Sequence, residues 1–275
     1  MKSLTLAQLV DQKPDVVLVD ASGVLYREAG AFPGSPGAIR FLQDRHIPVM
    51  VVTNNTYNSP AGIASRLDAM GIQIPADDII SSGFGLSQDA EIRHLMEGKR
   101  VFVFGSQESR YYVELVPSVT IVEEPADADV VVLAATIDNQ VALFNRLVDA
   151  LMDTVVTVIC CNPDRYIMEK NGRSPVIGYY ADRLAEELNI PVFFVGKPQS
   201  NFSKIVAETV KNRYKLNSFS RVFFFDDNPD NVRQLTRDTG IRGVLVQDTG
   251  LALEIPISEI ETYQLEFAIS AFKTT

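Results

Sequence analysis

The sequence is poor in the residues on which several enzyme classes rely. It has two cysteines and two histidines in 275 residues. Cys160 and Cys161 are neighbours, a poor geometry for bridging to each other, so no disulfide framework follows and both read as strand residues. No Cys or His pair has zinc-site spacing, and His46 and His94 read as solvated residues near a helix end and within a helical run. No apolar run approaches the length needed to span a bilayer. Met1 to Pro14 reads as a short surface helix carrying Leu4, Leu6, Leu9 and Val10, unlike a secretory signal, so a cytoplasmic location is expected. Positive charge is scarce too: 25 Lys and Arg face 35 Asp and Glu, a formal net charge of -10. That balance argues against a nucleic-acid or membrane partner, and any anionic substrate would need local positive charge to offset the field. The G-x-S-x-G elbow, the Walker A loop and a G-x-G-x-x-G after a strand are all missing.

What is present is an ordinary globular composition, 46% hydrophobic and 22% charged, in a chain long enough for two modest domains. The strand pattern organises it. Val16 to Val19 is a continuous apolar run ending at Asp20, followed by the turn residues Ser22 and Gly23. Ser35-Pro36 opens a helix with Ser35 as cap, and Ile47 to Val52 is a strand ending at Thr53-Asn54-Asn55. Ser59-Pro60 starts a second helix. From about residue 81 a separate α/β series runs to about residue 195: a helix from about Phe84 to Met96, strands at Val101–Phe104, Val119–Val122 and Val130–Ala134, a helix over Asn139–Met152, and a strand Val156–Cys160 ending at Asn162-Pro163-Asp164. Gly196-Lys197-Pro198 then leads into a helix, Val222 to Phe225 is a strand ending at Asp226-Asp227, Val244 to Val246 is a short strand, and Ile257 to Ala271 reads as a closing helix. The expectation is a doubly wound, Rossmann-like parallel sheet built from residues 1–80 and 196–275, with an α/β domain inserted at 81–195.

Several polar clusters therefore sit at strand ends, where open α/β sheets bind ligands. Taken singly, each has a plainer reading. Asp20 could be an Asx-turn residue, Thr53 and Asn54 could shape a turn, Asp226 and Asp227 could cap the helix near Pro229, and Asn162 with Asp164 could form a simple turn. Together they permit more. A carboxylate such as Asp20 can attack phosphorus and divide one hard hydrolysis into two easier steps. Mg²⁺ held by Asp20 and Asp227, with Lys197 as a second cation, would offset the repulsion between two anions. The Thr53 hydroxyl and the next backbone N–H would hydrogen-bond a phosphoryl oxygen.

Asp20-x-Ser22-Gly23-Val24, Thr53-Asn54-Asn55, Gly196-Lys197-Pro198 and Asp226-Asp227 resemble, in order and spacing, the four motifs of the haloacid dehalogenase superfamily. The long insertion before the third motif is similar to the cap of its NagD-like branch, and Asn162-Pro163-Asp164 to a cap loop that faces the active site. The resemblance implies a Mg²⁺-dependent phosphatase of small phosphorylated metabolites, with Asp20 as nucleophile and an aspartyl-phosphate intermediate. It also implies a metal site from Asp20, the Ser22 backbone carbonyl and Asp227, with Asp226 near the metal, and orientation of Asp20 and phosphate by Lys197. Thr53, Asn54 and Asn55 would bind phosphate, Asn162 and Asp164 the substrate, and the cap could support a homo-oligomer.

One position departs from the pattern. Family phosphatases carry a second Asp two residues after the nucleophile, which protonates the leaving oxygen and later deprotonates water; here it is Ser22. Serine supplies no carboxyl proton, and losing such a group typically lowers the rate by about 10² to 10⁴. The expectation is weak phosphatase activity. The alternative is a degenerate phospholigand-binding or regulatory protein that keeps the pocket without efficient chemistry. The fourth motif also reads Asp226-Asp227-x-x-x-Asn231, where the branch more commonly has Gly-Asp.

Overall fold

A computed structural model describes residues 1–137, 139–152, 154–169 and 172–274. Its strands are β1 (Lys2–Ser3), β2 (Val16–Val19), β3 (Val49–Thr53), β4 (Ile79–Ser81), β5 (Arg100–Phe104), β6 (Thr120–Val122), β7 (Val130–Leu133), β8 (Thr157–Cys160), β9 (Val192–Phe194), β10 (Val222–Asp226), β11 (Arg242–Val246) and β12 (Phe267–Ile269). Two short antiparallel ribbons, Tyr26–Arg27 with Gly30–Ala31 and Tyr166–Glu169 with Gly172–Pro175, complete the strands.

The unbroken apolar runs follow from burial on both faces of parallel sheets. In β2, Val17 and Val19 pack on one side against Ala38, Ile39 and Leu42 of the helix Ser35–Gln43 and against Ile63 and Leu67 of the helix Pro60–Asp68. Val16 and Leu18 point the other way, into Phe202, Ile205, Val206 and Val210 of the helix Ser200–Tyr214. The strands β3 and β10 divide between the same two layers, with Phe223 and Phe225 on one side and Phe224 on the other. The first sheet is entirely parallel, in the order β1-β12-β11-β10-β2-β3-β4. The second, from the inserted stretch, is also parallel, in the order β9-β8-β7-β5-β6. Cys160 and Cys161 lie buried there as free thiols. The architecture is the expected doubly wound α/β fold, and no helix among the described residues is long and apolar enough to cross a membrane.

Several local expectations need correction. The closing helix is confined to Ile257–Ile260, followed by a 3-10 turn at Glu261–Tyr263 that ends at Gln264 in left-handed backbone, φ 55°. The rest becomes β12, a strand between β11 and β1, because Phe267 and Ile269 fill one side of the sheet while Ala268 faces the other. The helix expected over Phe84–Met96 breaks at Asp89, which is extended and accepts the N–H groups of Glu91 and Ile92 as cap of a new helix. Ser35 does not cap its helix. Gly34, at φ 95°, takes the cap position, and the Ser35 hydroxyl donates to the carbonyls of Leu25 (2.7 Å) and Phe32 (3.0 Å). The short β4, the edge strand β1 and the two ribbons carry too little periodicity to be legible in advance.

Phe224 is fully buried against the helix Ser200–Tyr214. Phe224→Ala should destabilise the protein by about 3–5 kcal/mol in urea denaturation; a change below about 1 kcal/mol would show that this layer collapses around the gap.

Candidate active site

The strands β3, β2 and β10 are neighbours, and each ends in a polar residue at the same rim. β2 delivers Asp20, whose N–H still donates to the Phe225 carbonyl (2.8 Å), so its backbone continues the ladder. β10 delivers Asp226 and then Asp227, and β3 delivers Thr53, 2% exposed. Lys197 comes from the segment returning from the second sheet and is 3% exposed.

Lys197 Nζ lies 2.5 Å from Asp20 Oδ1 and 2.6 Å from Asp226 Oδ2. Asp226 is saturated beyond this, accepting from the Asn228 N–H (2.8 Å) and from Asn231 Nδ2 (3.1 and 3.2 Å). Its place is to hold the lysine. Burial would drive the proton off Lys197, but Asp20 and Asp226 more than offset that, and its pKa is raised. Burial is also the main influence on Asp20, pushing its carboxyl up to about 7; Lys197 pulls down, while Asp226 and Asp164 push up. Asp227 is raised for the same reason, with Asp226 and Asp20 adding to the effect.

Asp20, Asp226 and Asp227 each offer a carboxylate oxygen within 4.8 Å of the others, all buried. Three carboxylates against one lysine leave an excess of negative charge at the rim, and oxygen donors suit a hard divalent cation such as Mg²⁺ or Ca²⁺. The backbone is shaped around this group. A Cβ on Gly23 would lie 2.5 Å from the Asp227 carboxylate, and one on Gly250 would lie 1.9 Å from Asp227 Oδ2; both glycines have positive φ. Asp227 Oδ2 also accepts the Leu251 N–H, so the Gly250 loop clasps it. The arrangement fits a metal. Ser22 lies exposed beside Gly23, on the loop between Asp20 and Asp227.

The remaining candidates divide. Thr53 accepts the Asn55 N–H through Oγ1 (3.1 Å), and its hydroxyl proton stays available. The Asn54 side chain is fully engaged: Oδ1 accepts the Lys197 N–H (2.8 Å), and Nδ2 donates to the Lys197 carbonyl (3.0 Å) and to Asp164 Oδ2 (3.0 Å). It works as a splint for the lysine loop. Asn55 Oδ1 accepts the N–H groups of Tyr57 and Asn58, forming a turn. Asn162 Oδ1 accepts the Asp164 N–H (2.8 Å), which shapes the loop presenting Asp164. Sequence reasoning missed the Gly250 clasp and the Arg173–Glu254 ion pair (2.7 Å) that joins the second ribbon to the first sheet's side. Neither has a local signature. A cavity of about 440 Å³ opens between the two units, lined among others by Asp164, Tyr166 and Arg173 on one side and Gln199, Asn228 and Leu251 on the other.

Comparison with known proteins agrees with this geometry. The model of a family described as haloacid dehalogenase-like hydrolase matches residues 17–116. An acid sugar phosphatase of Staphylococcus saprophyticus is 26% identical over 184 residues, covering 66% of this chain and 68% of that protein. A solved structure described as a possible sugar phosphatase, from Cytophaga hutchinsonii, superposes with a TM-score of 0.83 at 20% identity, over 99% of this chain and 98% of that one. A glycerol phosphate phosphatase from Mycobacterium tuberculosis, solved in complex with calcium, gives 0.70 at 18% identity, over 88% and 67%. Residues 17–116 are thus similar to the haloacid dehalogenase-like hydrolases, and the chain shares its fold with the solved phosphatase structures over nearly its whole length.

Lys197→Met removes the one cation between buried carboxylates. In metal-free buffer near pH 7.5 it should destabilise the protein by about 3–5 kcal/mol. A carboxyl with a raised folded pKa favours folding below its unfolded value, and that benefit is lost as pH rises through the folded value. The deficit should therefore narrow as pH falls toward about 4, the unfolded carboxylate value; denaturant melts showing an equal deficit at both pH values would contradict this charge account.

Proposed function

We propose that the protein is a divalent-metal-dependent phosphatase of small sugar- or polyol-type phosphate monoesters, with Mg²⁺ as the working ion, and that residues 81–195 act as its cap. The observation that carries this reading is the buried Asp20–Lys197–Asp226 triad beside Asp227 at the rim of the sheet. The names of the similar phosphatases support the substrate class. So does the cavity, because its two arginines already face carboxylates, Arg165 at 2.5 Å from Asp182 and Arg173 at 2.7 Å from Glu254. A neutral, hydroxylated body suits that lining better than a second phosphate would.

Asp20 attacks phosphorus, and the aspartyl-phosphate is then cleaved by water. Lys197 keeps Asp20 ionised and oriented and offsets phosphate charge, while the Thr53 hydroxyl donates to a phosphoryl oxygen. Asp20, the Ser22 carbonyl and Asp227 would hold the metal, which supplies charge neutralisation for the approach of two anions. Asp226 positions Lys197. Ser22 cannot move the leaving-group proton, so turnover is slow unless another group supplies it.

Asp20→Asn should abolish turnover of a panel of sugar phosphates. Ser22→Asp should raise it, by up to about 10²-fold where proton transfer limits the rate. No Mg²⁺-dependent turnover by the folded protein across the panel would favour the phospholigand-binding alternative. Separately, millimolar Mg²⁺ should raise the melting temperature, since a ligand that binds only the folded state stabilises it. Asp227→Asn should remove most of that shift; a shift left intact would exclude Asp227 as a ligand.

A further inference from the structure

The missing carboxyl at Ser22 leaves the proposed reaction without an obvious proton donor, yet the second sheet brings another carboxylate to the same place. Asp164 stands on the loop after β8, and its Oδ2 accepts from Asn54 Nδ2 at 3.0 Å, the same nitrogen that donates to the Lys197 carbonyl. It is therefore tied to the phosphate-side loop and to the lysine loop through one amide. Among the described residues its Oδ1 takes no hydrogen bond, and the side chain lines the cavity shared by the two units. Its charge is felt at Asp20, whose carboxyl it helps to raise.

Direction matters as much as proximity. A group leaving in line with the attack of Asp20 departs away from the rim of the first sheet, toward the second unit. Two carboxylates of the second unit line the cavity there, and Asp182 is already paired with Arg165, which leaves Asp164. We propose that Asp164 has taken over the general acid and base role that Ser22 cannot fill. This rests on the phosphatase reading above.

The step balances. As an Asp20 oxygen bonds to phosphorus and the ester P–O bond breaks, the departing oxygen takes the proton of the Asp164 carboxyl and leaves as the alcohol. Asp164, now ionised, takes a proton from water as its oxygen attacks the aspartyl-phosphate. Phosphate is released, Asp20 is again a carboxylate, and Asp164 is again protonated. Burial raises the Asp164 pKa, with Asp226 adding to it and Asn54 and Lys197 opposing, which favours holding a proton between turnovers.

The test is leaving-group dependence. An alkyl phosphate needs a proton on its departing oxygen, whereas p-nitrophenolate leaves as a stable anion. Asp164→Asn should lower the phosphorylation step with an alkyl phosphate by about 10² to 10³. With p-nitrophenyl phosphate it should leave the pre-steady-state burst nearly unchanged and slow the steady state, because cleavage of the intermediate still needs a base. Ser22→Asp added to Asp164→Asn should restore alkyl ester turnover. An equal loss for burst and alkyl ester would mean that Asp164 only positions Asn54, and undiminished alkyl turnover would mean that it does nothing; either overturns the proposal. A measurement on the unmodified protein guards against a variant that fails to fold. Its rates across a series of esters should vary little with leaving-group acidity, and a steep dependence would overturn the proposal even while the phosphatase reading stood. Inactivity of the unmodified protein on every ester would overturn both.

Discussion

The charge balance at one buried point sets the terms for the rest of the molecule. Lys197 Nζ sits between Asp20 and Asp226 at 2.5 and 2.6 Å, nearly out of contact with water. An isolated ion at that depth would neutralise itself, so each member is tolerable only because the others are there. The first sheet supplies the two carboxylates from adjacent strand ends. The lysine arrives on a segment that returns from the second sheet, so the two units cannot reach this geometry independently. Asn54 closes the arrangement by holding both the N–H and the carbonyl of Lys197.

The same loop fastens the second unit more widely. Beyond Asn54, the Thr56 hydroxyl donates to the Ala134 carbonyl, Ser109 Oγ donates to the Thr56 carbonyl (2.7 Å), Tyr112 OH donates to the Asn58 carbonyl (2.8 Å), and Glu108 accepts both the N–H and the hydroxyl of Ser59 (2.9 and 2.8 Å). These hydrogen bonds tie backbone and side-chain groups of one segment, residues 54 to 59, to the second unit. A loop held on so many sides gives the residues it carries a defined position over the strand ends, and positional definition is what acid–base and nucleophilic groups require. Asp164 shares in it through Asn54. The cavity beside Asp164 is also lined by Arg173, whose ion pair with Glu254 is exposed and contributes little energy.

Most of the architecture was legible because the runs at residues 16–19, 49–52 and 222–225 have one physical explanation, a strand covered on both faces. The polar residues that stop them meet at one rim of the sheet. What was not legible depended on contacts distant in sequence. β12 reads locally like part of an amphipathic helix, and only the vacant edge of β11 makes it a strand. The Asn54 side chain bonds Lys197 and Asp164, 143 and 110 residues away, a coupling that no local pattern announces. Asp226 stands in the carboxylate group with Asp20 and Asp227, and its further bonds to Lys197, Asn231 and the Asn228 N–H have no local signature either. Gly250 carries no pattern at all; its importance is the 1.9 Å a side chain would leave to the Asp227 carboxylate.

Ser22 is the residue for which local and distant information differ most. By spacing it marks a lost catalytic group. In the folded chain it sits on a loop whose essential atoms are backbone, since Gly23 must lie against Asp227 and any residue at position 22 has a carbonyl. Replacing its side chain therefore removes a proton carrier without disturbing the carboxylate cluster. A protein with a net charge of -10 that binds a phosphate ester already depends on its few local cations, Lys197 and the ion the cluster is suited to hold. Another fixed carboxylate at position 22 would add to that burden. A protonated Asp164 adds no negative charge while substrate binds and becomes anionic only after the leaving group has departed, when the repulsion falls on product instead of on the incoming phosphate.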